Sequence, residues 1–85
     1  MKNIRINPNF QFQWEEKQNC YVLLYPEGMV QLKQSAGEIL NLCDGEKGVE
    51  EINKLLCKKF EMQDLTADIN AFLEEAQNRN WICYE

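Results

Sequence analysis

Histidine is missing from the 85 residues, and serine and threonine occur once each, as Ser35 and Thr66. Without an imidazole the chain lacks the one side chain whose ordinary pKa lies near neutrality, and with it the usual general base. No G-x-S-x-G elbow, Walker-type phosphate loop or G-x-G-x-x-G turn can be written on it. Cys20, Cys43, Cys57 and Cys83 never stand as C-x-x-C, so a zinc site has nowhere to start. Free thiols packed as small hydrophobes are expected instead. Catalysis, metal and cofactor are not expected.

Long apolar runs are absent too. None approaches the ~20 residues of a membrane span, and the first residues lack a signal-peptide core. A cytoplasmic protein with no membrane partner is the expectation. Positive charge is scarce and scattered: 9 Lys and Arg face 14 Asp and Glu, a net charge of −5. Nucleic acid and anionic lipid both need clustered cations, so neither is an expected partner.

The residues present suit a small globular domain. At 45% hydrophobic and 27% charged, the chain is too apolar to stay disordered. Its length allows one domain, close to the lower limit for a core without metal or disulfides. Residues 1–9 are polar and carry Pro8; they read as a loose arm ahead of a single domain spanning residues 10–85.

Phe10-Gln11-Phe12-Gln13-Trp14 alternates strictly, which predicts a half-buried strand with its three aromatics toward the core. Tyr21 to Tyr25 is a run of strand formers. Pro26-Glu27-Gly28 predicts a type I turn, and Met29 to Lys33 a returning strand with Val30 and Leu32 on one face. Ser35 and Glu38 have the spacing of a capping box, followed by the apolar stripe Ala36, Ile39, Leu40 and Cys43 and a stop at Asp44-Gly45. Val49, Ile52, Leu55, Leu56 and Phe60 predict a second helix with Gly48 as its N-cap. Asp64 reads as the cap of a third, carrying Leu65, Ile69, Phe72, Leu73 and Ala76 and leaving through a left-handed Asn80. Trp81 to Tyr84 is too apolar for a free tail.

Few residues invite a chemical reading. Ser35 at a helix start could be a nucleophile or a carrier attachment point, but Glu38 three residues on makes it a capping serine. Glu15-Glu16, Glu50-Glu51 and Glu74-Glu75 are neighbours in sequence, so they do not converge on one helix face and read as solvated charge.

LLYPEG, MVQL, SAGEIL and CDG, in this order between Leu23 and Gly45, resemble the PqqD family, the peptide chaperones of pyrroloquinoline quinone biosynthesis. The likeness continues more weakly over Phe10 to Ile82. It implies an α+β, winged-helix-like arrangement, a three-stranded antiparallel sheet followed by a three-helix bundle. It also implies a function: binding the precursor peptide PqqA and presenting it to the radical SAM enzyme PqqE, which cross-links a glutamate and a tyrosine of that peptide. The physical expectation is β-augmentation along Met29, Val30, Gln31, Leu32 and Lys33, with the third helix clamping the peptide through Asp68, Ala71, Phe72 and Glu75. An unpaired edge leaves room for a monomer or a weak dimer. Alternatives are recognition of another pathway's leader peptide and, more distantly, DNA regulation by a winged helix. Asp64, Asp68, Glu74 and Glu75 against a lone Arg79 make the third helix a poor reader of phosphate.

Overall fold

The strand-former run becomes the centre of a sheet because a strand is available on either side of it. In the computed structural model, which describes residues 3–84, β1 (Ile4–Ile6) is followed by β2 (Gln11–Glu15), β3 (Cys20–Tyr25) and β4 (Gly28–Gln31). The last three form an antiparallel sheet in the order β2-β3-β4. Tyr25 lies opposite Gly28, leaving Pro26-Glu27 as a two-residue loop in which neither residue has a positive φ. Then come α1 (Gln34–Asn41), α2 (Val49–Phe60), α3 (Thr66–Asn78) and a last strand, β5 (Ile82–Tyr84).

Register puts Phe12 opposite Leu23 and Leu23 opposite Val30, so these share a face with Tyr21 and Leu32. The helices cover that face. Leu23, Leu32, Ile39, Leu40, Ile52, Leu56, Ile69, Leu73 and Ala76 form the buried core between the layers. Gly37 lets α1 approach β3: a Cβ there would lie 2.6 Å from the Tyr21 ring. That ring stacks on Phe12 (4.7 Å, 15°) and meets Trp14 edge-on (5.0 Å, 76°). Phe10 and Phe12 pack against the core as expected, but Trp14 is 47% exposed. It stands near the end of β2, an edge strand of the sheet.

Ile4 to Ile6, placed by sequence in a loose arm, is a strand. It pairs antiparallel with β5, Ile4 opposite Tyr84 and Ile6 opposite Ile82, and Ile4 is fully buried. The Ile4 N–H donates to Lys47 O and the Gly45 N–H donates to Ile4 O, both at 2.9 Å. Two isoleucines around one arginine are too short a pattern to register as alternation, and their partner strand lies at the other end of the chain. Met1 and Lys2, also assigned to the arm, fall outside the described residues.

Two helix starts differ from expectation. Lys33, extended at φ −65° and ψ 159°, holds the N-cap position of α1, with no side-chain cap. Ser35 is already inside the helix, where its hydroxyl cannot cap. Glu38 accepts instead from Lys59 Nζ at 2.7 Å, joining α1 to α2. Gly45 is left-handed (φ 86°), yet α1 has ended by then at Asn41. Gly48 does cap α2. At α3 the N-cap position is Leu65, and Asp64 acts one residue earlier: its Oδ1 accepts from the Thr66 N–H at 3.0 Å and the Thr66 hydroxyl at 2.6 Å. The exit of α3 follows expectation. Asn80 has φ 63°, Trp81 N–H donates to Ala76 O at 2.8 Å and Asn80 N–H to Gln77 O at 3.0 Å, a Schellman motif with asparagine in glycine's place.

Candidate functional site

Backbone phasing decides what the edge of β4 can offer. Leu32 N–H donates to Tyr21 O at 3.0 Å, which makes Tyr21 and Leu32 a hydrogen-bonded pair. Pairs alternate along an antiparallel ladder. Val30 opposite Leu23 and Gly28 opposite Tyr25 therefore also spend their backbone groups on β3. Met29, Gln31 and Lys33 point theirs the other way, toward the open side of the sheet. The Lys33 carbonyl is taken by the Gly37 N–H at 2.9 Å. What β4 presents outward is the N–H and C=O of Met29 and Gln31 and the N–H of Lys33.

Beside this edge runs a groove of about 330 Å³ between β4 and the last two turns of α3. Val30, Gln31, Leu32 and Lys33 line one side, Phe72 and Glu75 the other. Leu32 belongs to the buried core, whereas Val30 and Phe72 are only half-buried. Phe72 leans on Trp81, with ring centroids 6.4 Å apart. Charge sits at the rim: Glu75 and Arg79 approach to 3.9 Å with both side chains exposed, and the Arg79 guanidinium lies 5.4 Å from the Trp81 ring centroid. An apolar floor, unpaired backbone groups and a mixed-charge rim can hold an extended peptide.

Six of the nine expected residues thus meet around one groove: Val30, Gln31, Leu32, Lys33, Phe72 and Glu75. Met29 does not line it. It is 43% exposed and, opposite Leu24, stands on the other face of the sheet, so it contributes backbone alone. Asp68 and Ala71 are exposed on α3 outside the lining. Ser35, Ala36, Arg79 and Trp81 line the groove without having been expected there. Arg79, the lone cation at the end of α3, and the tryptophan just after its left-handed exit were the available signals.

Among the described residues, no group of three or more His, Cys, Asp and Glu could hold a metal ion. All four cysteines are free, and the Cys43 thiol is pushed up to about 12, by burial first and the charge of Asp44 second. A larger hollow of about 590 Å³ opens at the start of α2, with Glu46, Glu50, Glu51 and Lys54 among its lining residues.

A family model described as Coenzyme PQQ synthesis protein D (PqqD) matches residues 20–82. The chain belongs to the PqqD family. The PqqA binding protein of Pseudomonas aeruginosa PAO1 is 53% identical over 74 residues, covering 86% of this chain and 80% of that one. The PqqA binding protein of Methylococcus capsulatus is 40% identical over 79 residues, 93% and 85% of the two chains. The solution NMR structure of the PqqD truncation of Methylobacterium extorquens PqqCD, described as a functional, stand-alone recognition element for ribosomally synthesised and modified peptides, matches with a TM-score of 0.79. It is 26% identical and covers 94% of this chain and 87% of that one. The heterocyclase TruD contains the same fold, at a TM-score of 0.72 and 22% identity, over all of this chain and 12% of its own. The PqqD fold is therefore the α+β arrangement of three-stranded sheet and three helices expected from sequence, with β1 and β5 added. Among the described residues no helix is long and apolar enough to cross a membrane.

Proposed function

We propose that this chain binds the precursor peptide PqqA as a fourth strand on β4 and presents it to the radical SAM enzyme PqqE, as a cytoplasmic chaperone that catalyses nothing itself. The observation that carries the reading is the outward N–H and C=O of Met29 and Gln31 beside a groove walled by Phe72. The names of the relatives, PqqA binding proteins, support the choice of peptide.

Magnitudes assign the roles. Each added backbone bond nets about 0.5–1.5 kcal/mol, so a few of them give register and modest affinity. Apolar side chains entering the groove add about 25 cal/mol per Å² withdrawn from water, which soon exceeds the backbone share. Lys33, Glu75 and Arg79 at the rim orient the peptide and speed its capture more than they tighten it. The acids exposed on α3, Asp68, Glu74 and Glu75, remain an argument against DNA there.

Proline at position 31 tests this directly. It removes an outward N–H at an edge, a place where sheets tolerate proline. Gln31→Pro should stay folded and bind synthetic PqqA at least tenfold more weakly by calorimetric titration. Unchanged affinity in a folded Gln31→Pro protein would sink strand addition at this edge.

A further inference from the structure

Beyond the Lys33 end of the groove lies another hollow, of about 440 Å³, lined by Gln34, Ser35, Phe60, Met62 and Leu65. Ser35 borders both hollows, so the two adjoin at that residue. The walls of this one are unusually apolar for a surface: Phe60 is 40% exposed and Met62 53%, and Leu65 is half-buried. No charged residue lines it.

The pad is held in shape by its own bonds. Glu61 turns the chain with a left-handed φ of 56°, and Met62 N–H donates to Cys57 O at 3.0 Å. Asn53 Oδ1 accepts the Leu65 N–H at 2.8 Å, fixing the start of α3 to α2. Lys59, already bonded to Glu38, stands 5.7 Å from the Phe60 ring centroid. Phe60 is at the inner-face spacing of α2, yet it ends the helix at this pad and not in the core.

We propose that the pad receives an uncharged, apolar side chain of the same peptide that pairs with β4, from a residue just N-terminal to the paired segment. This rests on the strand-addition reading above. Both sheets are antiparallel throughout, and an antiparallel newcomer to β4 runs from the Lys33 end toward Met29. The residues preceding its paired segment must then pass Ser35 and reach Phe60 and Met62. A ring beside an unbranched thioether accepts Leu, Ile, Met or Phe alike, since methionine adapts its shape to the guest. Two adjoining footholds make recognition depend on an apolar residue at a set distance before the strand.

The test uses full-length protein, synthetic PqqA, and a PqqA peptide shortened from its N-terminus to the segment whose amides become protected on binding. The Phe60→Ser/Met62→Ser double variant changes exposed positions and should melt cooperatively by circular dichroism. It should bind full-length peptide at least fivefold more weakly and the shortened peptide as wild type does. In wild type, full-length peptide should shift the amide resonances of Ser35, Met62 and Leu65, and the shortened one should leave Met62 unmoved. Wild-type affinity of the double variant for full-length peptide, with Gln31→Pro still weakening binding, overturns the pad and leaves the β4 reading standing. An ineffective Gln31→Pro overturns both. If the double variant instead abolishes a concentration-dependent self-association seen by sedimentation, with peptide affinity intact, a second copy covers the pad and the inference fails.

Discussion

Gly37 carries more of the architecture than any glycine pattern in the sequence signals. A methyl group at that position would lie 2.6 Å from the Tyr21 ring, and that ring is wedged by Phe12 and Trp14. Alanine favours a helix by about 1 kcal/mol over glycine, whereas overpacking a close contact costs about 1–3 kcal/mol. The steric term wins. Gly37→Ala should lower the thermal midpoint by several degrees, at roughly 4–8 °C per kcal/mol for a domain this size; a rise would mean that α1 can slide away from β3 freely. Phe72 makes the contrasting case, half-buried at a groove and not in the core. Phe72→Ala should weaken PqqA binding at least fivefold with cooperative unfolding retained, and affinity within twofold of wild type would put the clamp elsewhere. Ser35 shows the limit of reading residues by spacing. The S-x-x-E pattern predicts a cap, but a cap requires extended backbone, and that conformation belongs to Lys33.

At the scale of elements, local signals were legible and distant pairings were not. Aromatic alternation, the Pro-Glu-Gly turn and the apolar stripes of α1, α2 and α3 each depend on neighbours within one or two turns of chain, and each element appears where its pattern places it, although Trp14, Leu55 and Phe60 are exposed and Cys43 falls beyond the end of α1. β1 and β5 do not work that way. Each has three residues, and each becomes a strand by finding the other across the whole chain. Their pairing is more than decoration, since it buries Ile4 completely and ties the β1 backbone to Gly45 and Lys47. Ile4→Ala should therefore cost about 2–5 kcal/mol, the range for a fully buried aliphatic, measurable by urea unfolding. A loss below 1 kcal/mol would return this segment to the status of a loose arm. The groove was partly legible for the same reason. Alternation identifies Val30 and Leu32, but which turns of α3 face β4 depends on how the helix packs, and that sets Phe72 and Glu75 in the wall and Asp68 and Ala71 outside it.

For the molecule as a whole, charge and burial set how stability responds to pH. The Cys43 thiol, ordinarily near 9.0, is raised to about 12, mainly by burial, and Tyr84 is raised from 10.0 mainly by burial, with Cys43 adding. A folded state that holds Cys43 neutral is favoured fully below pH 9.0 and loses that advantage as pH climbs toward 12, and Tyr84 acts in the same direction from 10.0 upward. Stability should fall along that alkaline limb, more gently in Cys43→Ala; an unchanged slope in the variant would show that Cys43 ionises freely. Asp44 is held below its usual 3.8 by Lys47 first, and Asp64 by Thr66. Their contribution is present above 3.8 and lost as pH falls through the lowered values. Neither limb crosses neutrality, where the peptide must bind. The most direct test of strand addition is amide hydrogen exchange of the protein with and without PqqA. The Met29, Gln31 and Lys33 amides point outward and should become protected when the peptide binds, while Val30 and Leu32, already bonded to β3, should change little. Binding that leaves Gln31 exchanging as in the free protein would contradict the added strand.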